Sequence, residues 1–334
     1  MQEQLSRRQF IGTTAAAVAL SAAPRLVLGQ EVNKPNSNFS GVQIGVITYS
    51  FRSMPGTAED LLNYLVQCGI SSVELMGDPA EQFAGAPRLE RLARPRGQQV
   101  TDEQRAQFRA AMQAQTEKLR AWRESVSMDN FIALRKKYND AGVDIHIIKF
   151  DGIGPDMSEA ELNYCFNVAK ALGARGITTE ISEEKAKFLA PFADEHKIMI
   201  GFHNHTQVNA SSWDVPFSYG QYLGMNFDIG HYVAGTNESP IPIIEKYAAA
   251  GRILSLHIKD RKVNNGPNMP FGQGDTPLGL ILQLMKRNKY DFPADIELEY
   301  SIPEVSDAVA EVKKCVEYCK NTLADAPAWP NRPQ

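Results

Sequence analysis

The sequence predicts a single-domain α/β protein, a (β/α)8 or TIM barrel, and three observations carry that expectation. Eight short apolar runs alternate with stretches of helical periodicity from about residue 42 onward, the order that produces parallel strand pairing. Four of the later runs end in polar, chemically competent side chains: Phe202-His203-Asn204-His205, Asp228-Ile229-Gly230-His231, His257-Ile258-Lys259-Asp260 and Glu297-Leu298-Glu299. The turn after the first run, Ser50-Phe51-Arg52-Ser53-Met54-Pro55-Gly56, is not the Gly-rich phosphate turn that an open doubly wound sheet announces.

The strand-like runs are 42–50, 72–76, 144–150, 175–181, 198–205, 225–230, 253–259 and 294–300. Helical periodicity falls at 57–68, 158–172, 182–196, 240–250, 277–288 and 305–323. Two of these helices have start signals: Ser158 with Glu161 three residues on, and Ser182 with Lys185, a weaker box. Residues 78–127 interrupt the alternation after the second strand. This insertion holds an Arg/Pro/Gly-bearing piece at 87–97 and a polar helical run from Thr101 to about Ser125, before a helix at 129–138. An insertion after a strand lies on the catalytic face of a barrel, so it reads either as a solvated surface helix or as a lid or a contact in a homo-oligomer. A chain of 334 residues with 43% hydrophobic content can bury the core of such a barrel.

The first 29 residues read as a twin-arginine export signal: Ser6-Arg7-Arg8-Gln9-Phe10 stands before the Ala-rich stretch 12–23. Residues 30–334 are then the barrel, located in the periplasm or otherwise exported. No other segment is long and apolar enough to span a bilayer. Removing residues 1–29, with three arginines and one glutamate, takes the formal charge from -4 to -6, which argues against a nucleic-acid partner. The four cysteines, Cys68, Cys165, Cys315 and Cys319, form no metal pattern.

Side chains alternate along a strand, so His203 with His205, Asn226 with Asp228, His257 with Lys259, and Glu297 with Glu299 each share one face. In a barrel these inward faces converge on one mouth. Asp228, His257 and Glu299, from three successive strands, offer the mixed carboxylate and imidazole ligands that a divalent transition ion takes. Glu180, ending the fourth strand, is the fourth ligand, with His203 as its rival. Burying such groups unpaired costs roughly 2–7 kcal/mol each for neutral polar groups and more for charges, and one divalent ion resolves that cost. His203 or His205 is the candidate acid/base because imidazole titrates near neutrality. Lys259 can stabilise an enolate oxygen, position substrate, or simply pair with a carboxylate. His231 is placed on a substrate hydroxyl or behind Asp228, and Glu297, one layer deeper than Glu299, reads as structural. Gln273, in the Gly-bearing loop Phe271-Gly272-Gln273-Gly274-Asp275, is a further substrate-contact candidate.

The Asp228-Ile229-Gly230-His231 and His257-Ile258-Lys259-Asp260 motifs, with Glu299 at the last strand end, resemble the xylose-isomerase-like barrel superfamily. That group includes sugar and sugar-phosphate isomerases and epimerases, inosose dehydratases and endonuclease IV. The resemblance covers about residues 42–323. It implies that Asp228, His257 and Glu299 hold one ion, Mn2+, Co2+, Zn2+ or Mg2+. In the epimerases a fifth-strand Glu completes the site and two Glu residues shuttle the proton. Here Phe202-His203-Asn204-His205 stands in that place. His-x-His there, with Glu180 ending the fourth strand, looks more like the inosose-dehydratase branch and exported relatives acting on 3-keto sugars. The chemistry implied is proton abstraction beside a carbonyl, giving isomerisation or epimerisation on reprotonation, or dehydration or glycoside cleavage on loss of a β-oxygen. Export favours an unphosphorylated sugar or keto-sugar. An endonuclease IV-like phosphoesterase and a non-catalytic sugar-binding protein are the competing classes.

Overall fold

The computed structural model of the chain describes residues 34–88 and 101–324. The export segment expected at 1–29 and part of the insertion, residues 89–100, lie outside the described residues. Eight parallel strands close into the predicted barrel: β1 (Val42–Ile47), β2 (Ser72–Met76), β3 (Asp144–Lys149), β4 (Gly176–Glu180), β5 (Met199–His203), β6 (Leu223–Asp228), β7 (Ile253–Ile258) and β8 (Ala294–Ile296), with β8 returning to pair with β1. A two-residue strand, Asn38–Phe39, pairs antiparallel with the start of β1.

Helices α1 (Ala58–Cys68), α5 (Glu159–Leu172), α6 (Glu183–His196), α9 (Ile241–Ala249), α10 (Leu278–Asn288) and α11 (Ala308–Ala324) follow the predicted periodicities to within a few residues. Their starts have identifiable causes. Ser158 and Glu161 form a reciprocal capping box, and the Ser182 side chain accepts from the Lys185 amide. Three short helices carry too few turns to show a period: α2 (Gly77–Phe83), α7 (Asp214–Ser218) and α8 (Ile229–Thr236). The four cysteines are free and buried in helices that pack on the barrel. Among the described residues no helix is long and apolar enough to cross a membrane.

In the insertion, α3 (Asp102–Arg123) has no buried residue, whereas α4 (Asp129–Asp140) packs on the barrel through Phe131, Leu134 and Tyr138. The last turn of α3 is tied down by charge. Arg123 Nε meets Glu81 of α2 at 2.8 Å, and Arg120 Nε meets Glu161 of α5 at 2.8 Å. Both carboxylates are buried, so these pairs fix one end of the helix beside the catalytic face.

The barrel interior is polar in layers, and these layers set the height of every site residue. At the bottom, His146 binds Ser72 Oγ through Nδ1 (2.9 Å) and Asp295 Oδ2 through Nε2 (3.0 Å), and Gly45 leaves room there because a Cβ would collide with Asp295. Above it, the fully buried carboxylate of Glu74 accepts from Thr178 Oγ1 (2.6 Å), Asn226 Nδ2 (2.9 Å) and His257 Nε2 (2.8 Å). Buried polar groups survive only when satisfied, and this middle layer is.

Candidate active site

The site lies directly above Glu74, at the carboxyl ends of β4 to β8. Pairing register makes its members neighbours: Glu180 stands opposite His203, His203 opposite Asn226, and Asp228 opposite His257. Asp228 caps α8, with Oδ1 accepting from the His231 amide at 2.6 Å, and Asn204 holds the Asp228 backbone from both sides through its N–H (3.0 Å) and C=O (3.1 Å). The remaining oxygen, Asp228 Oδ2, is buried and receives no hydrogen bond of good geometry, although Lys259 Nζ stands 3.0 Å away. That contact is electrostatic.

Each histidine is fixed in a different state. Asn226 spends its amide on Glu74 and Ser255, so its oxygen faces His203 Nδ1 (2.9 Å), which must donate and leaves Nε2 as a bare lone pair. Burial and the neighbouring His257 charge push His203 down to about 4, so it is neutral. His257 is the opposite case: its two nitrogens face Glu297 Oε2 (3.0 Å) and Glu74 Oε2 (2.8 Å). Burial alone would lower it, but the two carboxylates win and raise it well above its ordinary value, so it is an imidazolium. His231, between Lys259 Nζ (2.9 Å) and Arg261 Nη1 (2.7 Å), is depressed to about 3 by burial and the lysine charge. His205 sits at the rim, 58% exposed, with Nε2 3.3 Å from Glu180 Oε2. The bond to Glu180 raises its pKa against partial burial. Burial would raise Glu180, but His205, His203 and Lys149 bring it down to about 2.

A cavity of about 620 Å3 opens above, lined by Glu180, His203, His205, His231, Glu297 and Glu299 on one side and by Ile47, Tyr49, Met76, Lys149 and Asp151 on the other. The ligand atoms of His203, Asp228, His257 and Glu297 lie within 4.8 Å of one another. His203 offers a bare imidazole nitrogen and Asp228 an unbonded buried oxygen, and with His257 ligating once its Nδ1 proton is released, this set fits a first-row divalent ion.

Several placements differ from the sequence expectations. Asp228 and His257 come together, but Glu180 and Glu299 stand outside that ligand group. Glu180 pairs with His205 and with Lys149 (3.2 Å), and Glu299 with Lys259 (2.6 Å). Glu297, expected to be structural, belongs to the group because it lies level with His257 Nδ1. Lys259, expected either to reach substrate or to pair with a carboxylate, does the latter, 1% exposed behind Glu299 and His231. Gln273 lines a separate pocket with Tyr300 and Tyr318. Its loop instead wraps Asp260, whose carboxylate accepts from the amides of Gly272 (2.8 Å), Gly274 (2.9 Å) and Thr276 (3.2 Å). Glu74 and Asn226 were not singled out as site residues. The available signal was a lone acid inside the apolar run Val73-Glu74-Leu75 and an amide inside Met225-Asn226-Phe227.

Residues 176–322, which hold most of the site residues, match the xylose isomerase-like TIM barrel family. Similar curated proteins include the L-ribulose-5-phosphate 3-epimerase UlaE of Escherichia coli (strain K12), 31% identical over 121 residues. That match covers 35% of this chain and 41% of UlaE, so it spans less than half the length of the relative. Among solved structures, the probable 3-DHS dehydratase AsbF of Bacillus anthracis superposes with a TM-score of 0.56 at 13% identity, over 81% of this chain and 98% of that one. The 3-keto-D-glucoside 4-epimerase YcjR of E. coli gives 0.54 at 11% identity, over 84% and 99%. At such identities the likeness is one of fold. Together with the closed eight-stranded barrel, these matches show a TIM barrel whose residues 176–322 are similar to the xylose isomerase-like family.

Proposed function

We propose that the protein is a sugar isomerase or epimerase that moves a proton at the carbon beside a carbonyl of an unphosphorylated sugar or keto-sugar. The observation that carries this reading is the Glu180–His205 pair on the cavity rim, next to the buried ligand group. A carboxylate can only accept, so His205 Nε2 carries its hydrogen toward Glu180 and Nδ1 is left as the proton acceptor. Glu180 orients the ring and stabilises the imidazolium formed when the proton is taken. His203 and His231 line the same wall, the ring nitrogens of His231 being taken by Lys259 and Arg261.

A divalent ion held by His203, Asp228, His257 and Glu297 would polarise carbonyl and hydroxyl oxygens as a Lewis acid. The same carbanion-like species returns a proton in isomerisation or expels a β-oxygen in dehydration or glycoside cleavage, so a lyase outcome needs no different residues. The cavity favours an unphosphorylated substrate. Its described lining has four carboxylates, Asp151, Glu180, Glu297 and Glu299, and one lysine, Lys149, already paired with Asp151 (3.2 Å) and Glu180 (3.2 Å). A phosphate dianion placed there would meet net negative charge.

The test is incubation of the Mn2+- or Co2+-supplemented enzyme in D2O with a 3-keto-glucoside and with free ketohexoses, followed by NMR. Deuterium at the carbon beside the carbonyl is expected with at least one of them. Absence of exchange with all of them would refute the reading.

We further propose that the chain is exported by its twin-arginine segment, which places it among free rather than phosphorylated sugars. Replacing Arg7 and Arg8 together by lysine should leave the precursor in the cytoplasm on cell fractionation. Unchanged export of that variant would remove this support.

A further inference from the structure

We propose that Lys259 is a resident cation of the site that competes with a divalent ion for the same carboxylates, so that the affinity for the ion is set by how readily Lys259 gives way. The inference rests on the metal reading above and concerns what limits it.

Lys259 follows the end of β7 and is 1% exposed. Its Nζ lies 3.0 Å from Asp228 Oδ2, 3.0 Å from Glu297 Oε2 and 2.6 Å from Glu299 Oε2. The first two carboxylates belong to the group able to ligate an ion. Metal–oxygen bonds are about 2.0–2.2 Å. An ion bonded to an oxygen 3.0 Å from Nζ therefore stands within about 5 Å of the ammonium, by simple addition of the two lengths. Like charges that close, away from water, repel strongly.

Relief must come from the lysine side chain, because the backbone is clamped. Gly230, in the first turn of α8, packs so tightly that a Cβ on it would meet the Lys259 carbonyl oxygen at 2.5 Å. Two partners outside the ligand group line the cavity, His231 (2.9 Å) and the 22% exposed Glu299, so the ammonium can follow Glu299 to the wall as an ion takes Asp228 and Glu297. The same arrangement explains how the chain folds with three carboxylates around one point. The lysine neutralises them, as paired burial of charge requires.

The experiment is calorimetric titration of the full chain with Mn2+, comparing wild type with Lys259→Met, which keeps the stem and removes the charge, and Lys259→Arg, which keeps the charge. Lys259→Met should bind Mn2+ at least tenfold more tightly than wild type, and Lys259→Arg no more tightly than wild type. Equal or weaker binding by Lys259→Met would overturn the proposal, since Lys259 would then be organising the carboxylates rather than competing for them; tighter binding by Lys259→Arg would also overturn it. If Lys259→Met folds only when refolded with Mn2+, followed by circular dichroism, the ion has taken over the lysine's charge and the proposal is supported. Failure to fold even with Mn2+ overturns it. If none of the three proteins binds Mn2+, the metal reading itself falls, and this inference with it.

Discussion

A His205→Gln enzyme is expected to turn over about 100- to 10,000-fold more slowly, the usual worth of a positioned general base, with its fold and its ion binding retained. The stability half of that expectation follows from place. His205 is 58% exposed, its ion-pair partner is Glu180, and it lies outside the ligand group of Asp228, His257 and Glu297, so its replacement disturbs no buried network. Glutamine keeps a polar group of similar reach but cannot take up a proton near neutrality. His203→Gln differs: His203 is buried, tied to Asn226 and contributes a bare ring nitrogen to the ligand group, so that variant should lose ion binding as well.

The pH profile separates the dyad from a lone histidine. His205 must be neutral to accept a proton, and Glu180 raises its pKa, so the acid limb of kcat/KM should lie above the ordinary histidine value of about 6.5. Glu180→Gln removes the raising influence and should move that limb to lower pH. The measurement is solvent deuterium exchange of the substrate together with kcat/KM against pH. Normal exchange by His205→Gln would place the base elsewhere, with Glu299 the next carboxylate on the cavity wall.

The fold was legible because a barrel repeats one instruction eight times, and an error of two residues at a strand end changes nothing in the topology. The strand ends around the site show where legibility stops. Period-two alternation put Glu297 and Glu299 on the same inward face, which is correct, but alternation says nothing about height along the barrel axis. Height depends on strand tilt and on the irregular register between β6 and β7, where pairing slips at Met225/Asn226. That slip brings Asp228 level with His257, while the regular pairing of β8 with β7, Asp295 opposite His257, leaves Glu297 rather than Glu299 within reach of His257 Nδ1. Lys259 stays open between two roles for a related reason: a strand-end lysine can reach a mouth or fold back among carboxylates, and only the positions of Asp228, Glu297 and Glu299 in space decide it. Gln273 misled because glycines near a ligand and glycines wrapping a buried aspartate, here Asp260, look the same in sequence.

The second large effect is expected at His257. Read as a ligand alone, His257 could be removed with loss of the ion and nothing more. In the structure it is a fully buried imidazolium bridging Glu74 and Glu297, so His257→Ala should lower stability by about 3–5 kcal/mol, the cost of leaving buried charge without its partner. Glu297 keeps Lys259 (3.0 Å), whereas Glu74 keeps the neutral donors Thr178 and Asn226 and the through-space charge of Lys149, so the loss falls mainly on Glu74.

The pH dependence has a definite sign. The folded-state pKa of His257 is raised, so its contribution is complete below the unfolded value of about 6.5 and fades as pH rises through the folded value. Burial opposes ionisation of Glu74, but the His257 charge brings it down to about 2, so its contribution is present above an unfolded value of about 4.3 and is lost as pH falls through that lower value. The advantage of wild type over His257→Ala should therefore be largest between about pH 4.5 and 6.5 and should shrink at higher pH. Urea denaturation of both proteins across that range measures it, and identical midpoints at pH 6 would show that the imidazolium bridge contributes nothing.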